Sequence, residues 1–271
     1  MSGSIRGSSL TSAAVVSASP GRRAWRRFRR NPLGFWSLVV FSILVVLSLF
    51  AELLSTEKPL VVRYAGQTYF PVLRDYSEKT FGGDFETPAD YLDPFIQKRI
   101  TEGANWALYA PNRYGPRTLN YFASQPNPAA PSRENFFGTD DRGRDLLAQL
   151  IYGFRVSVLF GLALTVIGTV LGVAAGAVQG YFAGKIDLAF QRFIEIWASM
   201  PELYLLIIFS AIFAPSVALL LILLSLFGWM GLADYVRAEF LRNRQMDYVR
   251  AARALGVGNL QIMWRHILPN S

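Results

Sequence analysis

Apolar stretches long enough to cross a membrane alternate with polar segments along the chain. Four crossings are predicted, because a bilayer core about 30 Å thick needs about 20 mostly apolar residues in a helix. The first lies at 33–51 and the second at about 156–182. The uncharged stretch 203–233 is too long for one crossing, and because Pro215 lies near its middle it predicts two further spans. Their approximate ranges are 193–213 and 217–235.

The composition agrees with a membrane protein. Apolar residues make up 52% of the chain and charged residues only 17%, and the mean hydropathy is +0.27. The chain has no cysteine and a single histidine, His266, which excludes a disulfide framework, a thiol nucleophile and a multi-histidine metal site. The acidic residues are scattered, so no catalytic constellation is recognisable. We expect no metal site, no cofactor and no enzymatic activity.

Charge is distributed unevenly and predicts the orientation of the spans. Residues 1–32 carry seven arginines and no acidic residue. Residues 55–150 carry eleven basic and twelve acidic residues, a net charge of −1, whereas residues 232–271 carry six and three, a net charge of +3. Because basic segments stay on the cytoplasmic side, we expect the N-terminus and the C-terminal segment inside and 55–150 outside. A cleaved signal peptide is the alternative for the first span, but the apolar run is long and no A-x-A site follows it.

These patterns predict an all-α polytopic membrane protein with a small mixed α/β insertion outside the membrane, between spans 1 and 2. The insertion is polar but contains enough aromatic residues for a small core. Within it, 60–64 and 68–73 predict a β-hairpin closed by a three-residue loop at 65–67. Residues 1–20, rich in Ser, Ala and Gly, are typical of a disordered tail. The predicted domains are a basic cytoplasmic tail at 1–32, span 1 at 33–54, the insertion at 55–150 and a transmembrane domain at 151–271.

Glycine recurs every fourth residue through the second predicted span, and residues at that spacing share one helix face. Such a face lets two backbones approach closely, and small residues at this spacing are typical of helix contacts in lipid. We predict a packing face, with the general abundance of glycine in membrane helices as the alternative. Its residues are Gly168, Gly172, Gly176, Gly180 and Gly184.

Two acidic residues fall at the third predicted span. Glu195 lies close to Arg192, which favours a solvated position at the inner interface. Glu202 directly follows Met200-Pro201, and an acidic residue inside a membrane is costly enough to be a functional candidate. Glu202 is therefore a candidate residue of a solute pathway, with an interfacial position as the alternative.

The segment after the fourth span predicts two short helices. Asp247 is a suitable N-cap for a helix at 248–255, and Gly256 is a suitable stop. Asn259 can cap a second helix that ends near Pro269. Three alanines leave the first helix with little side-chain bulk, so another protein can approach its backbone. They are Ala251, Ala252 and Ala254.

The same segment resembles the E-A-A-x3-G-x9-I-x-L-P signature of ABC importer permeases. Ala251-Ala252, Gly256 and Leu268-Pro269 match it, whereas Arg250 replaces the Glu and His266 replaces the Ile. In that family the segment is the coupling helix, which sits in a groove of an ATPase subunit. The coupling residues that the resemblance implies are Asp247, Tyr248, Arg250, Ala251, Ala252, Ala254, Leu255, Gly256, Leu268 and Pro269.

Other stretches are similar to the dipeptide and oligopeptide branch of this family, including its oligopeptide and microcin C permeases. They include R-H-I-L-P-N at 265–270, G-T-D-D-R-G-R-D at 138–145, and matches at 58–64, 69–71, 81–83, 179–181, 192–195, 227–230 and 237–242. The resemblance implies a permease subunit of an importer for peptides or peptide-like compounds in the bacterial inner membrane. The implied partners are a second permease subunit, cytoplasmic ABC ATPase subunits, a periplasmic solute-binding protein and the lipid bilayer. The family carries two further spans after L-P-N, which implies that this sequence is C-terminally truncated and holds four spans of six.

Two functions of other classes fit parts of the pattern. A membrane-anchored sensor or assembly factor would use the insertion as a binding module, but would also need a downstream signalling domain. A DNA-binding helix-turn-helix at 247–270 would place Arg250, Arg253 and Arg265 against phosphates. This segment directly follows a span and is apolar, so we expect anchoring at the inner leaflet and no nucleic-acid partner. The chain has no G-x-x-x-x-G-K motif, so we expect another subunit to hydrolyse ATP.

Overall fold

The computed structural model describes residues 20–119 and 126–270. Residues 1–19 of the predicted disordered tail lie outside the described residues, whereas Pro20–Arg29 form a helix, α1. The chain divides into two compact units, and the boundary along the sequence lies between Ile151 and Tyr152.

The first membrane helix, α2 (Pro32–Leu49), has clear start and stop signals. Asn31 is its N-cap, and the Asn31 side chain accepts a hydrogen bond from the Gly34 N–H at 3.2 Å. Pro32 occupies the first helical position, where its missing N–H costs nothing. The predicted span 33–54 is interrupted at its end, because Phe50 terminates α2 and a separate short helix, α3 (Ala51–Leu54), follows.

The insertion contains a three-stranded antiparallel sheet. Its strands are β1 (Val61–Tyr64), β2 (Gln67–Tyr69) and β3 (Trp106–Leu108), in the order β2-β1-β3. The predicted hairpin is confirmed, but the prediction of a three-residue loop is wrong. Ala65 and Gly66 alone form the turn, both with positive φ (48° and 81°), which is the two-residue geometry that matches the twist of paired strands.

An aromatic cluster forms the core of this first unit. Phe81, at the end of a 3₁₀ helix (Glu78–Phe81), is fully buried, and its ring makes edge contacts with four tyrosines at centroid distances of 5.5–6.3 Å. Ile96 and Ile100 of α4 (Pro94–Thr101) complete the core. The four tyrosines are Tyr64, Tyr69, Tyr76 and Tyr91.

A single long helix, α5 (Leu146–Phe182), contains the second span. It begins ten residues before the predicted start at Val156, because Asp145 accepts a hydrogen bond from the Ala148 N–H at 2.7 Å and thereby caps the helix. The first turns of α5 therefore precede residue 150, the predicted end of the insertion. After α5, the chain continues into α6 (Gly184–Ala198) and α7 (Glu202–Ile212).

The third predicted span, 193–213, is not one continuous helix. α6 and α7 are bent by 66° at a short break around Met200 and Pro201, so the pair is either a broken span or a re-entrant segment. Proline lacks the N–H needed inside a helix and disfavours helical backbone at the residue before it, which explains the position of the break.

The last apolar helix of the described chain spans Val217–Asn243 and consists of α8 (Val217–Ser225) and α9 (Met230–Asn243). Three helices among the described residues are long and apolar enough to cross a membrane, and the bent pair can supply a fourth crossing. These helices, with the small mixed insertion, confirm the predicted fold class.

Candidate functional site

The helix α10 (Asp247–Ala254) lies in the predicted coupling segment, and Gly256 follows its C-cap residue, Leu255. The Val257 N–H donates to the Ala252 carbonyl at 3.1 Å, and the Gly256 N–H donates to the Arg253 carbonyl at 3.0 Å. This pair of bonds is a Schellman motif. Gly256 has a φ of +79°, a conformation that other residues rarely adopt, so Gly256 is the stop that the sequence predicted.

The predicted capping at the start of this helix was wrong. The N-cap is Met246, whose backbone is extended, and Asp247 is the first helical residue. No side-chain hydrogen bond caps α10. Asp247 instead places a negative charge in the first turn, where the helix dipole favours it.

A second irregular helix follows, and Asn259 does not cap it. The N-cap is Gly258, and α11 (Asn259–Gln261) continues into a π-helix (Ile262–Ile267) and a 3₁₀ turn (Leu268–Asn270). The Asn259 side chain instead accepts a hydrogen bond from the Tyr181 hydroxyl at 2.7 Å. Because Tyr181 belongs to α5, this bond attaches the segment to a membrane helix.

A hydrophobic core holds α10 and the π-helix against α5 and α9. Phe240, Val249, Ile262 and Ile267 are fully buried in this core. Ala252 is also buried there, with 7% of its surface exposed, so it cannot take part in the open alanine surface predicted for this helix. Burial of these apolar side chains makes the segment a packed element and not a flexible tail.

The outer side of α10 is open. Leu255 is 84% exposed and Tyr248 is 39% exposed, and the small residues beside them are exposed as well. We call this the coupling surface, formed by Tyr248, Ala251, Ala254, Leu255 and Gly256. Of the other candidate residues, Asp247, Arg250 and Pro269 are exposed and Leu268 is half-buried against the core.

The glycines of α5 face α9 at very short range. A Cβ placed on Gly172 would lie 2.9 Å from the Trp229 carbonyl oxygen, and one on Gly180 would lie 2.6 Å from the Arg237 carbonyl oxygen. A Cβ on Gly176 would overlap the α9 backbone. A Cβ on Gly168 would lie 3.6 Å from the Gly228 carbonyl oxygen, which is an ordinary van der Waals contact. Close backbone approach of this kind requires glycine.

Gly184 does not belong to this face. A Cβ on Gly184 would meet no described atom within 4 Å beyond its chain neighbours. α5 ends at Phe182, and Gly184 starts α6 with a φ of +58° after Ala183. The fourfold spacing therefore outlasts the helix, and Gly184 serves the turn between α5 and α6.

An ion pair that the sequence analysis missed joins α6 to α9. The Arg237 Nε and Nη2 atoms donate to the two Asp187 carboxylate oxygens at 2.5 Å and 2.8 Å. Both side chains are largely buried, with 26% and 13% of their surfaces exposed. The partners are fifty residues apart, so no local spacing indicates the pair. The ion pair holds the first turn of α6 against α9, close to the glycine face.

The two acidic residues near the broken span differ in environment. Glu195 is exposed and pairs with Arg192 at 2.5 Å, in accord with a solvated position. Glu202 is half-buried and is the first residue of α7, at the break itself. Nearby, the Trp197 indole N–H donates to the Leu226 carbonyl at 3.1 Å and so connects α6 to the end of α8.

The G-T-D-D-R-G-R-D stretch forms a compact turn before α5. Burial raises the pKa of Asp140, but hydrogen bonds outweigh it and lower that pKa to about 2. The donors are the Arg144 backbone at 2.8 Å and guanidinium at 2.7 Å, the Arg142 backbone at 2.9 Å and the Gln149 side chain at 3.1 Å. Among the residues that the structure describes, no group of three or more His, Asp or Glu could hold a metal ion.

Comparison with known proteins identifies the family. Residues 147–271 match the binding-protein-dependent transport system inner membrane component, and residues 19–72 match the N-terminal TM domain of oligopeptide transport permease C. The chain is 52% identical to the inner membrane ABC transporter permease protein YejE of Escherichia coli K12, over 93% of this chain and 74% of that protein. The chain belongs to the ABC transporter permeases of binding-protein-dependent systems.

Other relatives of this permease are also named as permeases of transport systems. It is 46% identical to the peptidoglycan transport system permease protein YejE of Agrobacterium fabrum, over 92% of this chain and 71% of that protein. It is 40% identical to the oligopeptide transport system permease protein OppC of Haemophilus influenzae, over 52% of this chain and 46% of that protein. These matches confirm the resemblance found in the sequence and identify the permease as a multi-pass inner membrane protein.

Proposed function

We propose that this permease forms part of the translocation pathway of an ABC importer for peptides or peptide-like compounds, and that the coupling surface binds a cytoplasmic ATPase subunit. The relatives transport peptidoglycan, oligopeptides or dipeptides according to their names, which supports this class of solute. The further proposed partners are a second permease subunit and a periplasmic solute-binding protein. The N-terminus lies in the cytoplasm and the insertion lies in the periplasm.

The observation that carries the proposal is the contrast between the two sides of α10. One side, with Val249 and Ala252, is buried against α5 and α9. The other side presents the coupling surface, whose small residues allow a close approach to the backbone and whose Leu255 is an apolar anchor. A force applied by a partner to this surface therefore reaches the membrane helices through packed side chains, not through a flexible linker.

The break between α6 and α7 supports a place for the solute pathway. Interrupted helices in transporters leave backbone groups available to a solute, and an acidic residue there is costly unless it has a function. Glu202 is the first residue after the break. We assign it a role in the pathway, where its carboxylate attracts positively charged groups of the solute.

The coupling surface is tested by co-purification of the permease with its ATPase subunits. Leu255→Glu places a charge at the centre of the surface, and because Leu255 is 84% exposed the substitution leaves the fold intact. The matched control is Leu73→Glu, since Leu73 is 81% exposed in the insertion. We expect Leu255→Glu to lose at least about tenfold in ATPase binding, since a buried unpaired charge costs several kcal/mol at an interface. Equal ATPase recovery with both variants would refute the assignment.

A further inference from the structure

A cavity of about 430 Å³ lies beside α10, on the side away from Leu255. We call it the basic pocket. Three arginines from two segments line it, together with Tyr181 and Asn259. The arginines are Arg244, Arg250 and Arg253.

Two of these guanidinium groups are held in place by the end of α5. The Arg244 Nη1 donates to the Tyr181 carbonyl at 3.2 Å, and the Arg253 guanidinium lies over the Tyr181 ring, 5.4 Å from its centroid. Within residues 20–119 and 126–270, none of the three arginines forms an ion pair with an acidic side chain. Asp187 interacts electrostatically with Arg244 but forms its ion pair with Arg237, so the three arginines have no ion-pair partner of their own among the described residues, which favours binding of an anion.

The position of the pocket indicates which anion it meets. Tyr181 and Phe182 end the membrane helix α5, and Arg244 directly follows Asn243, the last residue of the membrane helix α9. Charged residues occur along α9 from Asp234 to Arg242, so this end of the helix lies beyond the apolar core, in the interfacial layer where aromatic residues and arginines are enriched. Basic pockets between such helix ends bind the phosphates of anionic lipids.

We propose that the basic pocket binds the phosphate headgroup of an anionic phospholipid. Guanidinium groups donate to phosphate oxygens in a bidentate geometry, and Asn259, whose amide oxygen already accepts the Tyr181 hydroxyl, also lines the pocket. The cavity is larger than a single carboxylate side chain needs, which favours a phosphoglycerol headgroup over an acidic residue of a partner. This inference goes beyond the proposed function and requires that α5 and the helix Val217–Asn243 cross the membrane with the pocket at the inner interface.

The lipid and the ATPase would contact adjacent sides of α10. Arg253 lies away from Leu255, whereas Arg250 and Ala254 are four residues apart and share a face. A headgroup held by Arg244 and Arg253 therefore leaves Leu255 exposed. By linking Arg253 to Arg244, the headgroup holds α10 against the end of α9 and so stabilises the element on which the ATPase acts.

Native mass spectrometry of the full chain tests this proposal. The chain is purified in detergent and incubated with phosphatidylglycerol or with phosphatidylcholine of the same acyl chains. We expect retained phosphatidylglycerol and little phosphatidylcholine. Arg244→Gln with Arg253→Gln should weaken phosphatidylglycerol binding about 30-fold, since each basic group near a lipid surface contributes a factor of about five. The control removes two arginines outside the pocket, Arg242→Gln with Arg265→Gln, and should retain the lipid.

Three results would overturn the proposal. Equal phosphatidylglycerol retention by the two double variants would show that the pocket does not hold the lipid. Full displacement of phosphatidylglycerol by excess inorganic phosphate would make it a site for a soluble anion. Loss of ATPase co-purification by the Arg244 and Arg253 variant, with lipid retention unchanged, would assign the pocket to an acidic group of the ATPase. Because lipid retention and ATPase binding are measured separately, failure here leaves the Leu255 test standing.

Discussion

Gly176→Ala tests the contact between α5 and α9, on which the support of the coupling segment depends. An added methyl group at Gly176 would overlap the Ala233 carbonyl oxygen and lie 2.8 Å from the Val236 Cβ and 3.0 Å from the Arg237 backbone nitrogen. Two of these three atoms belong to the α9 backbone, so rotation of a side chain cannot relieve the overlap. α9 must move away from α5, or the methyl group is accommodated at the expense of neighbouring contacts.

The magnitude follows from comparison with a second glycine of the same helix. A Cβ placed on Gly161 would meet no described atom within 4 Å outside its own helix. Alanine is favoured over glycine inside a helix by about 1 kcal/mol, and both substitutions receive this gain. Overpacking costs about 1–3 kcal/mol and applies only at Gly176. The difference in the free energy of unfolding between the two variants is therefore about 1–3 kcal/mol, or about 2–12 °C in Tm for a chain of this size.

Thermal unfolding of the full chain in detergent measures this difference. We expect Gly161→Ala to unfold at or slightly above the temperature of the parent chain, and Gly176→Ala to unfold below Gly161→Ala. Both variants add the same methyl group to the same helix, so their comparison removes effects of detergent and of helix propensity. A Gly176→Ala variant as stable as Gly161→Ala would show that the two backbones are not in close contact.

Two further predictions concern acidic residues. Glu202→Gln should reduce uptake of labelled oligopeptides about tenfold or more while leaving subunit assembly unchanged, because it removes the charge at the α6–α7 break; unchanged uptake would exclude Glu202 from the pathway. Asp140 has a pKa lowered from 3.8 to about 2, so its ionised form contributes stability above pH 4 that is lost as the pH falls from about 4 through 2. The difference in Tm between the parent chain and Asp140→Asn should shrink across this range, and a constant difference would refute the role of its hydrogen bonds.

The apolar pattern was sufficient to find the membrane helices, because the bilayer imposes a length and a composition that can be read locally. The apolar pattern predicted the first and last residues of these helices less accurately. Asp145 starts α5 ten residues early through one capping bond, and Pro201 divides a stretch whose composition resembles that of a continuous span. Capping and breaking depend on the backbone conformation of single residues, which hydropathy does not record.

The fourfold glycine spacing indicated a packing face, yet it could not identify the neighbour or the end of the face. α9 is the neighbour for Gly172, Gly176 and Gly180, whereas Gly184 lies beyond the helix end. A periodic pattern describes one helix, and the partner is determined by the path of the chain between helices. For the same reason, the sequence did not indicate the ion pair between Asp187 and Arg237.

For the coupling segment, the order of residues already contained the two short helices, the glycine stop and the likeness to a known family, since these depend on neighbours a few positions apart. Only the folded chain decided that Ala252 faces inward while Leu255 faces outward, and that Arg244, Arg253 and Tyr181 meet at one pocket. Burial and convergence arise when helices far apart in the chain pack together. Local spacing does not identify the partners in contacts of that kind.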